Sequence, residues 1–137
     1  MDKKLTILLI EDDMIELMKF NRTMSRLGLK HSITESKNGE EALRFLNSNE
    51  QLPDIILLDL NMPKMDGVEF LSILKEDSEL KYIPTIILST SNNRKDMLDC
   101  YKIGVAGYIV KPLKFDDYIE SIKRLLEYWS SNELIKC

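Results

Sequence analysis

Cysteine is scarce in this chain. Cys100 and Cys137 are the only two, and their spacing fits neither a metal-binding knuckle nor a redox pair. Cys100 reads as a half-buried helix residue and Cys137 as a free terminal thiol. No apolar run approaches the ~18 residues of a membrane span, and no signal-peptide pattern opens the chain. These absences point to a reducing, cytoplasmic compartment and to no membrane partner. A basic excess is missing as well: 19 Lys and Arg stand against 23 Asp and Glu, giving a net charge of −4 and a pI near 5.1. Without a basic stripe, no nucleic-acid partner is expected. The one histidine, His31, opens an edge-like run and reads as solvent-facing rather than as a ligand. There is no internal repeat, low-complexity tract or linker.

What remains suits one soluble domain of 137 residues, with 44% hydrophobic and 31% charged residues and enough length to close a core. Five short runs, Leu5–Ile10, His31–Ser36, Asp54–Asp59, Thr85–Ser89 and Ala106–Lys111, alternate with five helix-sized patterns. Runs one, three and four are almost wholly apolar, as parallel strands covered on both faces require. Run two alternates Ser32, Ile33, Thr34 and reads as an edge strand. The first helix carries Met14, Leu17, Met18, Asn21 and Met24 and stops at Gly28, with the methionines read as core filler. The second spans about Gly39 to Asn49, the third follows Gly67, the fourth spans about Asn93 to Ile103, and the last runs from Phe115 to Ser130. This alternation implies an α/β fold: an open parallel sheet with right-handed crossovers and helices on both faces. The core extends over about 5–129, with a short tail at 130–137.

Chemistry gathers at the strand ends. Asp59 closes the third run, Glu11 and Asp12 follow the first, Ser89 ends the fourth and Lys111 ends the fifth. In an open parallel sheet, ligands bind beyond the carboxyl ends of the strands, where the strand order reverses. If strands one and three are neighbours there, Glu11, Asp12 and Asp59 converge, and two such charges ~4 Å apart repel by about 4 kcal/mol at an effective dielectric near 20. Three carboxylates against Lys111 leave two negative charges for a divalent cation to balance. Hard oxygen donors point to Mg2+, with Mn2+ able to take its place, and the Asn61 carbonyl is a further donor. A cation with open positions beside an ammonium receives a phosphoryl group, and Asp59, at the end of the middle strand, is the nucleophile that would become an acyl phosphate. Ser89 offers a hydroxyl to a phosphoryl oxygen. Plainer readings stand beside these. Asp12 or Asp13 caps the first helix, Ser89 caps the fourth, and Lys111 is a solvated strand end. Three consecutive acids exceed what a cap needs, and Pro112 weakens the last reading. A cis Lys111–Pro112 bond would be a device for aiming the lysine.

Taken together, Glu11-Asp12, the segment Leu57 to Gly67 around Asp59, Ser89, and Lys111-Pro112 resemble the receiver domain of two-component response regulators over roughly Leu5 to Trp129. The resemblance implies the flavodoxin-like strand order 2-1-3-4-5. It also implies phosphotransfer to Asp59 from a histidine kinase or histidine phosphotransfer protein, with Asp12 holding Mg2+ directly, Glu11 through water and Asn61 by its carbonyl. Lys111 would hold a phosphoryl oxygen, and Ser89 and Tyr108 would form a switch; the plainer reading of Tyr108 is a strand aromatic packed on the last helix. Glu11 stands where an aspartate is usual, Ser89 where threonine is usual, and Thr90 where a smaller residue is typical, which narrows access. The turn Ser89-Thr90-Ser91 and the segment Cys100 to Gly104 look most like single-domain regulators associated with phytochrome-type kinases. With no output domain expected, the face made by helix four, strand five and helix five would carry the message to a protein partner or a second copy of the chain. Tyr101, Tyr118, Tyr128 and Trp129 are candidate contacts, most of them ordinary packing.

Three rivals share parts of this pattern. A phosphoaspartyl hydrolase also attacks with a strand-end aspartate, but it places an acid two positions on, where this chain has Asn61. A flavodoxin-like cofactor binder needs a phosphate cradle after strand one, which Glu11-Asp12-Asp13 would repel. A phosphorylation-independent scaffold has no need of the complete residue set.

Overall fold

The five apolar runs become five parallel strands of one sheet, β1 (Thr6–Ile10), β2 (Ser32–Ser36), β3 (Ile55–Leu58), β4 (Thr85–Ser89) and β5 (Gly107–Val110), in the order β2-β1-β3-β4-β5. The structure, a computed structural model, describes residues 3–48, 51–62 and 64–135. Asn49 at the expected end of the second helix, Pro63 of the turn after Asp59, and Cys137 lie outside the described residues. Helices α1 (Met14–Leu27), α2 (Gly39–Ser48), α3 (Gly67–Glu76), α4 (Arg94–Ile103) and α5 (Phe115–Ser130) connect the strands, with a 3-10 turn at Leu80–Tyr82 that the sequence pattern did not announce.

The pleat divides the core in two, because alternate strand residues face opposite ways. Leu8, Ile10, Ile56, Leu58 and Ile87 pack with Ala42, Leu46, Phe70, Leu71, Leu74 and Cys100 of α2, α3 and α4. Ile7, Leu9, Ile55, Leu57, Ile86 and Leu88 pack with Phe20 and Met24 of α1 and Tyr118, Ile122 and Leu126 of α5. Strands β1 and β3, buried on both faces, are therefore almost purely aliphatic, while β2 at the sheet edge alternates. The order reverses between β1 and β3, so a crevice opens beyond their carboxyl ends.

Four strands are a residue shorter than their apolar runs at one or both ends, and β4 has the expected bounds. At the amino-terminal edge, side chains take over from the ladder: the Leu5 N–H donates to His31 Nδ1 at 2.8 Å and the Thr6 N–H to an Asp54 carboxylate oxygen at 2.7 Å. His31 is thus half-buried and bonded rather than solvent-facing.

Other expectations are corrected. Met14 and Met18 are 75% and 57% exposed; of the expected stripe Met24 is buried and Leu17 partly so, and α1 buries Phe20 and Thr23 besides. Asp13 and Glu16, at the start of this helix, line a polar cleft. Cys100 is fully buried, and burial pushes its thiol up to about 11, with Asp96 and Asp99 adding to the rise. Tyr118 is buried under α1 and offers no partner contact, whereas Tyr101 and Tyr128 are exposed and Trp129 is partly buried. Tyr108 packs on the α2–α3–α4 side of the sheet, not on the last helix. Among the described residues every peptide bond is trans, so Lys111 is aimed without a cis bond at Pro112.

Two glycines fix the connections. Gly28 closes α1 at φ 67°, in the left-handed region that favours glycine, with its N–H on the Met24 and Ser25 carbonyls. Gly67 lets α3 press against the strand end that carries Asp59: a Cβ there would sit 2.7 Å from Leu60 Cα and 2.8 Å from the Asp59 carbonyl oxygen. Both atoms are backbone and cannot step aside. Gly67→Ala is therefore expected to cost about 1–3 kcal/mol, read as a lower urea midpoint with unchanged slope; an unchanged midpoint would contradict this packing.

Candidate functional site

Backbone bonds at the carboxyl edge set the site. The Glu11 N–H donates to the Ser36 carbonyl at 2.9 Å, the Asp59 N–H to Ile10 at 3.1 Å and the Lys111 N–H to Ser89 at 2.8 Å. These bonds extend the parallel ladder one residue past each strand and hold four side-chain roots in register at the mouth of the crevice. Glu11, Asp59 and Lys111 are 4%, 8% and 7% exposed, and Ser89 is fully buried. Lys111 is not a solvated strand end.

Glu11, Asp12 and Asp59 each present an oxygen within 4.8 Å of the others. They line an open cleft of about 370 Å³ with Asp13, Glu16, Asn61, Thr90 and Lys111. The sequence-predicted residues Glu11, Asp12, Asp59, Asn61 and Lys111 thus share one cavity. Ser89, buried at the end of β4, lies close enough for its hydroxyl to lower the Asp59 carboxyl. Tyr108 stands off: its hydroxyl donates to the Ser91 carbonyl at 2.9 Å.

The capping alternatives are answered by neighbours. Asp13 caps α1, accepting from the Ile15 and Glu16 N–H groups, so Glu11 and Asp12 are not needed for that duty. Asn93 caps α4, accepting from Lys95 and Asp96, which leaves Ser89 free of it.

One participant was missed. Lys111 Nζ lies 2.6 Å from Glu11 Oε1 and also 2.9 Å from Glu16 Oε1. The charge balance is thus four carboxylates against one ammonium rather than three. The Glu16 contact is close but misdirected, so its Oε1 is buried without a hydrogen-bond partner among the described residues. In the sequence Glu16 is an ordinary first-turn acid of a helix, and only its place three residues after the cap hints that it points back toward the strand ends.

Burial governs the electrostatics. It pushes Glu11 up to about 7 from an ordinary 4.5, against the hydrogen bond and charge of Lys111, while the Asp59 charge adds to the rise. Asp59 is also raised, by burial, with Lys111, the Ser89 hydroxyl and the Asn61 N–H pulling it back. Burial drags the Lys111 ammonium down, but its close contacts with Glu11 and Glu16 and the nearby charges outweigh this and leave it raised. Clustered hard-oxygen donors whose charge one lysine does not balance fit a divalent cation. Glu11, Asp12, Asp59 and Asn61 are the residues able to hold it.

Comparison with known proteins follows the same lines. The family model for the response regulator receiver domain matches residues 7–123. The probable methanogenesis regulatory protein FilR2 of Methanothrix harundinacea is 38% identical over 127 residues, 90% of this chain and 82% of that protein. The response regulator Rcp1 of Synechocystis is 31% identical over 128 residues, 90% of this chain and 87% of its own. The solved Mn2+-bound form of Rcp1 superposes with a TM-score of 0.86 at 28% identity, covering 97% of this chain and 99% of that one. The phosphorylated cyanobacterial phytochrome response regulator RcpA gives 0.89 at 33% identity, covering 96% and 99%.

The raised Glu11 value has a thermodynamic consequence. Folded protein holds the Glu11 proton more tightly than unfolded chain, so this stabilisation is complete below the ordinary 4.5 and lost as pH rises through about 7. In EDTA the melting temperature should therefore fall between pH 5.5 and 8, and Glu11→Gln should flatten that fall. Equal slopes in wild type and variant would contradict the burial of this carboxyl.

Proposed function

The chain belongs to the response regulator receiver domain family, and from that membership we propose that it is a stand-alone regulator phosphorylated on Asp59. The donor is a histidine kinase or a histidine phosphotransfer protein, and the output is phosphorylation-dependent protein binding. The observation that carries this reading is the meeting of Glu11, Asp12, Asp59, Ser89 and Lys111 at one crevice. FilR2 and Rcp1, of which the chain spans 82% and 87%, support the stand-alone reading. These relatives are signalling regulators rather than turnover enzymes. Asn61, which provides no general acid, argues the same way.

In the proposed transfer, an Asp59 carboxylate oxygen attacks the phosphorus of a phosphohistidine. The O–P bond forms as the P–N bond breaks, and the imidazole nitrogen leaves with the electron pair. Reversal of the signal is hydrolysis: water attacks phosphorus, the acyl O–P bond breaks, and Asp59 is returned with inorganic phosphate. Asp12, Asp59 and the Asn61 carbonyl would hold Mg2+, and Glu11 would act through water. Mn2+ is an alternative, as in the Rcp1 structure. When bound, the cation supplies charge neutralisation for the phosphoryl oxygens. Lys111 pairs with one phosphoryl oxygen and Ser89 donates to another.

Phosphorylation adds about one negative charge at Asp59. Ser89, freed from the carboxylate, follows the phosphoryl oxygen, and Tyr108 exchanges its Ser91 carbonyl bond for an inward position behind it. The change biases the face of α4, β5 and α5, where Leu98, Tyr101 and Val110 are exposed. That face is the proposed docking surface for a protein partner or a second copy. The cytoplasm, where such kinases present their phosphohistidine, is the proposed location; no helix among the described residues is long and apolar enough to cross a membrane.

Acetyl phosphate with Mg2+ should add one phosphoryl group to the protein by mass spectrometry, and Asp59→Asn or EDTA should reduce labelling to background. Labelling that survives Asp59→Asn would contradict the assignment. Partner affinity unchanged by beryllofluoride would contradict the switch.

A further inference from the structure

Glu16 is a buried-facing carboxylate that the transfer chemistry above leaves without a task. We propose that it is a positioning residue: the counter-ion that keeps Lys111 on the α1 side of the cleft, which Lys111 must release to reach a phosphoryl group on Asp59. The inference rests on the reading of Asp59 as phosphoacceptor.

The geometry supplies the argument. Among the described residues, the ion pairs of Lys111 run to Glu11 at 2.6 Å and Glu16 at 2.9 Å, and none runs to Asp59. Glu16 is anchored and cannot follow the lysine. It sits in the first turn of α1 behind the Asp13 cap, and its Oε2 lies 3.5 Å from Lys19 Nζ. Lys19 in turn rests 4.6 Å over the ring of the buried Tyr118. The Glu16 Oε1, buried and without a hydrogen-bond donor, has the Lys111 charge as its compensation. Leaving such an oxygen uncompensated is costly, so releasing the lysine is uphill.

Charge balance pushes the same way. Glu11, Asp12, Glu16 and Asp59 outweigh Lys111 and Lys19 by two charges, which a divalent cation balances; phosphorylation then adds about one negative charge. Glu16 therefore opposes the phosphoryl group chiefly by competing for its ammonium partner. Drawing Glu11 toward a cation leaves Glu16 as the principal holder of the lysine. Glu16 acts as a brake on the phosphorylated state.

The test is beryllofluoride binding at saturating Mg2+, followed by fluorine NMR. Glu16→Gln should bind about fivefold more tightly than wild type, the size expected for removing one partly buried competing charge. In a Lys111→Met background the same substitution should change affinity by less than about twofold, since the two residues act as one unit. Glu16→Met, which removes the charge together with the buried oxygens, serves if the glutamine variant does not fold. Unchanged or weaker binding in the single variant, or an equal gain in both backgrounds, overturns the proposal. Wild-type protein that takes up no beryllofluoride overturns the reading of Asp59 instead. The pairing is then judged in ligand-free protein by lysine ¹⁵N NMR, where Glu16→Gln should speed exchange of the Lys111 ammonium protons by about tenfold. Equal exchange rates overturn it.

Discussion

A buried ammonium shared among carboxylates organises this molecule. Lys111 contacts Glu11 and Glu16 directly and faces the Asp59 charge, with the lysine, Glu11 and Asp59 each less than one-tenth exposed. Such a cluster is unfavourable in isolation, because desolvating a charge costs several kcal/mol and one lysine cannot neutralise four acids. The fold supports it by making every side chain the continuation of a strand or a capped helix. The backbone bonds from Glu11, Asp59 and Lys111 lock the register, and the aliphatic cores on both faces of the sheet hold the strands that carry them. Residual negative charge is thereby stored among carboxylates able to hold a cation.

Much of this was legible in the sequence, because its signals are local. The pattern of β4 and α5 gives the observed bounds, since an apolar run flanked by a proline and an amphipathic stripe are unambiguous. Glu11, Asp12, Asp59, Ser89 and Lys111 each end or follow a strand, and parallel topology alone carries strand-end residues to a common edge. What escaped depends on contacts distant in sequence or on where a helix overhangs. Glu16 looks like any acid in a first helical turn, and its partner is Lys111 on the last strand. His31 looks exposed until Leu5 is seen to donate to its ring. Met14 and Met18 obey helical spacing, yet of that apolar stripe Leu17 and Met24 are the residues packed in the core. The plainer reading of Tyr108 put it on the wrong face because β5, at the sheet edge, is only half-buried and its side-chain alternation carries little hydrophobic contrast.

The relation between site and surface follows from the same arrangement. Ser89, fully buried, is near enough to Asp59 to lower its carboxyl, and the next turn leads to Ser91, whose carbonyl holds Tyr108. A change at Asp59 thus has a short physical route to α4 and β5, through one hydroxyl and one backbone turn. Glu16 offers a second route, through Lys19 and Tyr118 to α5. Both routes begin at groups in or beside the charged cleft. Receiver function and switch surface are in this sense properties of one electrostatic cluster.

Anomalous scattering from crystals soaked in Mn2+ tests the cluster most directly. One strong peak between the Glu11, Asp12 and Asp59 carboxylates and the Asn61 carbonyl is expected, vanishing in Asp12→Asn crystals soaked alike. No peak in that cleft at millimolar Mn2+, or a peak held by other residues, would contradict the convergence of these strand ends on a cation.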